Sequence, residues 1–282
     1  MRFQIVIIGH PHAAAFAEIA ETLVFGLRAL GHTASAGINA FIADGVNIVL
    51  GMHMLPESEI LHLPPQTVMY NLEQVEDSLF EWAPQLETAL RRFEVWDYSP
   101  RNLERLGDLA PRRHLLPIGT MPQLTRIKPA AKQDIDVLFY GVVNERRRVV
   151  LKAIQDRGLI VSAMFNCYGA ARDALIARAK LVVNLHKHEA QVFEVVRVSY
   201  LLANRKAVVA EISPQTAIDA DLTGAVAGAA RDDIAEVCHR LVHDRAARQA
   251  LERRGYRAMS ARRESDLLKV LLDQRANMTG AS

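Results

Sequence analysis

The chain has little cysteine: Cys167 and Cys238 are its only two thiols in 282 residues. Two thiols build neither a disulfide framework nor a cysteine metal site, and they suit a reducing cytosol. No stretch approaches the roughly 18 consecutive apolar residues of a membrane-spanning helix. The start, Met1-Arg2-Phe3-Gln4-Ile5-Val6-Ile7-Ile8-Gly9, lacks the long apolar run of a signal peptide and enters a strand directly. A cytoplasmic protein is expected, with peripheral attachment at the inner membrane face left open. Neither sign of charge dominates, with 34 basic against 32 acidic side chains and a net charge of +2. Nothing global steers such a chain to nucleic acid, which is left out of the expected partners. The first strand ends Gly9-His10-Pro11-His12, not in G-x-G-x-x-G, which argues against a nicotinamide-dependent or epimerase-like enzyme. No Asp-x-Asp pair follows a strand, so neither metal nor cofactor is expected.

What is present is alternation. Half of the residues are hydrophobic, and at roughly 100–200 residues per domain the length predicts two domains. Short apolar runs at 5–8, 47–51, 67–71 and 94–97 are separated by helical patterns at 13–30, 76–93 and 100–106. The pattern stops over 119–134, where Gly119, Pro122 and Pro129 mark a connector. It restarts with strands at 135–140, 159–164, 181–185 and 207–210. The intervening helices lie at 144–156, 170–179 and 192–203. The remainder reads as helices at 231–243, 245–259 and 264–275. Runs of this kind indicate parallel sheets covered on both faces. The expected fold is α/β, with two Rossmann-like domains facing a central cleft. Residues 1–118 are the expected first domain and 119–134 the connector. Residues 135–262 are the expected second domain, and 263–282 a last helix for which a return to the first domain is one option.

Polar residues cluster where strands end, which is where open α/β sheets bind ligands. Phe193-Glu194 opens a helix that stops at Asn204. A carboxylate there suits a sugar diol, because it accepts hydrogen bonds from two neighbouring hydroxyls. An ion pair with Arg197, three residues on, is the plainer reading. The strand at 137–140 runs into Gly141, which permits close backbone approach, and Asn144, a plausible helix N-cap. Arg146 or Arg147 then either clamps a pyrophosphate or decorates an exposed basic face. Tyr168 either covers a base or closes a hydrophobic corner. Asn184 and His186 end a further strand, and His186 contacts phosphate or donor sugar or is structural. In the first half, His10 or His12 is a general base toward an acceptor hydroxyl, since imidazole titrates near neutral pH, or caps the next helix. Glu73 is the alternative base. His53 and Asn71 end two further strands and are expected on the acceptor side.

The segment 137–211 resembles the donor-binding half of GT-B glycosyltransferases, most of all the bacterial group 1 and CgeB-like spore-maturation type. The resemblance is carried by Phe139-Tyr140-Gly141 followed by Arg146 and Arg147, by Asn184, and by Phe193-Glu194. It implies that Glu194 holds the nucleotide ribose, with 135–262 the donor side and 1–118 the acceptor side. Many retaining members carry an acid where His186 stands, and a Gly-Pro pair where Asn204-Arg205-Lys206-Ala207 stands. The implied activity is transfer of a sugar from a UDP-, GDP- or TDP-linked donor to a glycan, lipid, protein or small-molecule acceptor, without a metal. The alternative is a GT-B-like nucleotide-binding or scaffold protein without the chemistry.

Overall fold

The computed structural model describes residues 1–75, 85–187 and 192–279. The chain divides into two compact units: unit 1 is Met1–Met121 with Arg262–Ser282, and unit 2 is Pro122–Ala261.

Unit 1 is built on six strands, β1 (Arg2–Ile7), β2 (Thr33–Ile38), β3 (Val46–Leu50), β4 (Thr67–Asn71), β5 (Glu94–Asp97) and β6 (Arg113–Leu115). They lie in the order β2-β1-β3-β4-β5-β6, and every pairing is parallel. Ile5 stands beside Ile48 and Ile48 beside Val68, one buried row across three strands. All positions of β3 and β4 are buried, as strands covered on both faces must be. The helices are α1 (Ala17–Ala29), entered through a 3-10 turn at Ala13–Phe16, then α2 (Glu57–Ile60), α3 (Leu86–Arg92) and α4 (Pro100–Leu106). Of the helix expected at 76–93, residues 76–84 lie outside the described residues. Ser99 caps α4 by accepting the Asn102 N–H, and Pro100 takes the first turn, where no amide hydrogen is needed. The core joins Val6, Val49, Met69 and Val95 to Leu86, Leu90 and Phe93.

Unit 2 carries β7 (Ile135–Tyr140), β8 (Val161–Met164), β9 (Ala179–Asn184), β10 (Ala207–Glu211) and β11 (Ala227–Ala229), in the order β11-β10-β9-β7-β8. These pairings are also parallel. Its helices are α5 (Glu145–Gln155), α6 (Gly169–Arg178), α7 (Val195–Ala203), α8 (Ile234–His243) and α9 (Arg245–Ala261). Val137, Phe139, Leu181, Val183 and Val209 meet Ile154, Ile234 and Leu241 in its core. Three boundaries differ from the sequence reading. The helix expected from 192 begins at Val195, because the Phe193 N–H bonds the Ala217 carbonyl and Glu194 is not helical (φ −74°, ψ 55°). Residues Arg231–Asp233 form a 3-10 turn ahead of α8. The edge strand β11, Ala-Gly-Ala, carries no β-branched residue to announce it.

The last helix, α10 (Glu264–Thr279), belongs to unit 1 and packs on α1. Gly26 makes this close approach possible: a Cβ there would lie 2.8 Å from Leu268 and 3.0 Å from Glu264. Just before α10, Thr120 and Arg263 form a parallel β-bridge, and the Glu264 carboxylate accepts the Gly119 N–H at 2.8 Å. Glu264 is buried, which pushes its carboxyl up to about 8 against the lowering effect of that hydrogen bond. Among the described residues, no helix is long and apolar enough to cross a membrane.

Candidate functional site

The strand order reverses between β7 and β9 in unit 2 and between β1 and β3 in unit 1. In open parallel sheets the crevice beyond the strand ends at such a reversal is the ligand position. Gly141 follows β7, Asn184 ends β9, and Glu194 precedes α7, the helix after β9. The donor-side residues read from the sequence therefore surround the reversal in unit 2.

Glu194 is the centre of this group. Its Oε2 accepts a hydrogen bond from Asn184 Nδ2 at 3.1 Å. Arg147 Nη2 and His186 Nδ1 each lie 3.7 Å from Oε1, and Arg197 Nη1 lies 3.7 Å from Oε2. Burial alone would raise the Glu194 carboxyl, but Arg197, His186 and Arg147 outweigh it and hold it at about 2. It is therefore an ionised, acceptor-only group at neutral pH. Beside it the polar inventory is incomplete. Asn184 Oδ1 and both ring nitrogens of His186 are buried without a hydrogen-bond partner among the described residues. Buried polar atoms normally find partners, so these mark a place where a polar ligand completes the set.

The three arginines divide differently from the expectation of a free pyrophosphate clamp at 146 or 147. Arg146 grips the Glu211 carboxylate with both terminal nitrogens, and its Nη1 also donates to the His186 carbonyl at 3.2 Å. Arg147 is buried; its Nε and Nη2 donate to the Leu185 carbonyl at 3.0 and 2.6 Å and its Nη1 to the Val142 carbonyl at 2.8 Å. These two arginines thus lock the loops after β7 and β9 together. Arg197 is different. Its Nη1 donates to the Tyr140 carbonyl at 3.1 Å, while its Nε and Nη2 make no hydrogen bond among the described residues, and the side chain is one-third exposed. It is the arginine of this group with donors to spare. Gly141 lies under it at φ +142°, where a Cβ would sit 3.1 Å from Arg197 Nη1.

Asn144 caps α5: its Oδ1 accepts the Arg147 N–H and its Nδ2 donates to the Lys187 carbonyl. Phe193 is buried and supports the turn into α7. Tyr168 holds the N-cap position of α6, half-buried; burial raises its phenol, opposed by Arg197. Five side chains escaped the sequence reading. Glu211, at the end of β10, fixes Arg146 and accepts the His186 backbone N–H at 3.1 Å; its place at a strand end was the available signal. Val142 and Val143 beyond β7, Met164 at the end of β8 and Phe165 after it stand exposed and offer apolar surface.

In unit 1, His10, His12 and His53 gather beyond β1 and β3. The rings of His10 and His12 are 5.3 Å apart, and the His12 N–H donates to His10 Nδ1 at 3.3 Å. His12 holds the N-cap position of the 3-10 turn without a side-chain cap bond. Burial, then the charge of His10, pulls His53 down to about 4. Asn71, expected on the acceptor side, is instead tied inward: its Nδ2 donates to Asp97 Oδ2 and the Glu73 carbonyl, and its Oδ1 accepts the Glu73 N–H. That network shapes the loop presenting Glu73. Asp97 beneath it is buried and pushed up to about 7, with the bonds from Asn71, Ser99 and Asn102 opposing the rise. Among the described residues, no group of three or more His, Cys, Asp or Glu is arranged to hold a metal ion.

No protein-family model matches the chain. Two uncharacterised proteins of Acanthamoeba polyphaga mimivirus are similar to it. L140 is 26% identical over 133 residues (45% of this chain, 42% of L140), and L137 is 23% identical over 150 residues (51% of this chain, 20% of L137). The matches span less than half of either viral protein. Among solved structures, an alpha-glucosyltransferase in complex with UDP superposes with a TM-score of 0.66 at 12% identity, covering 97% of this chain and 99% of that one. HepE of Anabaena, with UDP and glucose, gives 0.65 at 10% identity and coverages of 98% and 100%. An alpha-glucosyltransferase with UDP and a 13-mer DNA containing an HMU base gives 0.65 at 11% identity and coverages of 97% and 98%. The fold is thus the α/β, doubly Rossmann-like GT-B fold: the alternation of strands and helices predicted two α/β units, and the resemblance of 137–211 implied GT-B. One expectation is overturned: near-neutral charge does not set nucleic acid aside, because a transferase of this fold holds DNA. Net charge averages over the surface and is blind to a local excess of one sign.

Proposed function

We propose that the chain is a glycosyltransferase that moves a sugar from a nucleoside diphosphate to an acceptor hydroxyl, with the donor held by unit 2. The observation that carries this reading is Glu194: an ionised carboxylate at the strand-order reversal, flanked by unpartnered polar atoms of Asn184 and His186 and by the spare donors of Arg197. The carboxylate takes the two ribose hydroxyls. Arg197, rather than Arg146 or Arg147, meets the pyrophosphate. His186 faces the donor sugar or its phosphate with its open ring nitrogens. Val142, Val143, Phe165 and Tyr168 offer apolar and aromatic surface for the base.

In the transfer, a base takes the acceptor hydroxyl proton as the oxygen bonds to the anomeric carbon. The bond from that carbon to the diphosphate breaks, and its electron pair leaves with the diphosphate, whose charge Arg197 offsets. His10 and Glu73 are the candidate bases, with His12 and His53 beside the acceptor. Asn71 acts through the Glu73 loop. The likeness to the CgeB-like group belongs to this proposal and rests on Phe139-Tyr140-Gly141 and Phe193-Glu194. The uridine nucleotides of the superposed structures make UDP the first donor nucleotide to try, ahead of GDP and TDP, and add nucleic acid to the acceptor classes.

A thermal-shift titration tests the reading: at least one of UDP, GDP and TDP raises the melting temperature. Slow hydrolysis of the matching nucleotide-sugar that is lost in His10→Ala or Glu73→Ala marks catalysis. Binding without hydrolysis leaves the scaffold alternative, and no shift with any of the three nucleotides removes both.

A further inference from the structure

Away from the donor residues, unit 2 has a concave groove of about 680 Å³ along α9, lined by Arg205, Gln249, Glu252, Arg253, Tyr256 and Arg257 among others. Arg253 and Arg257 are one helical turn apart on one face of α9. Both are exposed, and neither makes a hydrogen bond or ion pair among the described residues. Glu252 is half-buried and lies among Lys206, Arg248 and Arg253, so the groove keeps a positive excess. Opposite, the Arg205 guanidinium lies 4.0 Å from the centre of the Tyr256 ring. Arg205 occupies a left-handed backbone position, φ +56°, just past the end of α7. Glycine is the unstrained residue for that position. An arginine held there places its fork over an aromatic ring, a flat cationic platform beside two unpaired cations.

We infer that this groove is a binding site for single-stranded nucleic acid, with Arg253 and Arg257 on phosphates and the Arg205–Tyr256 platform under a base. Grooves that follow a phosphodiester chain combine unpaired arginines with stacking surfaces in this way. A membrane surface fits less well, since an interfacial helix needs large apolar residues beside its basic ones. None of the exposed large hydrophobic side chains lies on α9. The inference stands on the groove alone and does not require the donor reading.

The test is fluorescence anisotropy of a labelled thymidine oligonucleotide of about 15 residues with the full chain. Salt is varied from about 50 to about 200 mM. The wild type binds, and Arg253→Gln/Arg257→Gln weakens binding at least roughly tenfold and flattens the logarithmic salt dependence by about 1.4, the release expected from two single-strand phosphate contacts. Tyr256→Leu, tested separately, weakens binding with the salt slope unchanged. Both variants keep the wild-type response to UDP, because the altered side chains lie outside the donor group, and the double arginine variant, which loses no hydrogen bond or ion pair among the described residues, keeps the wild-type melting temperature. Equal affinity of wild type and the double variant overturns the inference. So does a wild type that ignores the oligonucleotide while binding phosphatidylserine vesicles through the same arginines.

Discussion

At the scale of single residues, the informative contrast is between arginines that hold the protein together and one that does not. Arg146 and Arg147 answer to Glu211 and to backbone carbonyls, whereas Arg197 keeps donors open beside Glu194. If Glu194 takes the ribose diol, removing the hydroxyls and removing the carboxylate charge are not independent. UDP should bind the wild type more tightly than 2′,3′-dideoxy-UDP by about 1.5–3 kcal/mol, and Glu194→Gln should erase most of that difference. Calorimetric titration of both ligands into both proteins measures this cycle, and equal discrimination by the two proteins would count against the role. Asn204 offers a purely structural test. Its Oδ1 accepts the N–H groups of Arg126 and Ile127, each at 2.8 Å, and its Nδ2 donates to the Leu124 and Tyr200 carbonyls. With all four bonds formed in a buried place, Asn204→Ala should cost on the order of 3 kcal/mol in urea unfolding. A loss under about 0.5 kcal/mol would show that water replaces these bonds freely.

At the scale of elements, the sequence announced strands better than it announced what happens at their ends. Apolar runs such as 48–50 and 207–210 point to a strand covered on both faces. Gly141 and Asn144 likewise announce a tight turn and a cap through local chemistry. The partner of Arg146 is Glu211, 65 positions away, and no local pattern encodes that pairing. The same holds for Asn71, whose polar end-of-strand place looked outward while Asp97, from the neighbouring strand, turned it in. The start of α10 shows an element whose stability should depend on pH. Glu264 titrates near 8 when folded, above the roughly 4.3 of an unfolded glutamate. The folded chain therefore holds the proton more tightly. This contribution is complete below about pH 4 and is lost as pH rises through 8. Asp97, near 7 when folded against roughly 3.9, acts in the same direction. Glu264→Gln keeps an acceptor for the Gly119 N–H without the ionisation. The melting temperature of the variant minus that of the wild type should therefore grow between about pH 5 and about pH 8. A difference that stays flat over that range would mean that Glu264 titrates normally.

At the scale of the whole molecule, two units with separate cores give ligand binding a defined footprint. Hydrogen exchange with and without UDP should show its largest protection at 141–147, 184–187 and 193–198, where the loops and helix starts of unit 2 converge. Nucleotide at 100 times its dissociation constant should stabilise that unit by about 2.7 kcal/mol. Exchange unchanged at those segments would remove the donor site from unit 2. The assignment of α10 to unit 1 also imposes an order of events during synthesis. Unit 2 is one continuous segment and can fold as soon as it leaves the ribosome. Unit 1, begun first, waits until the helix α10 arrives to cover the face of α1 at Gly26 with Leu268 and Glu264. A nascent chain stalled after residue 261 should accordingly lose its first 121 residues to brief proteolysis while its second unit survives, so the part made earliest is the part finished last.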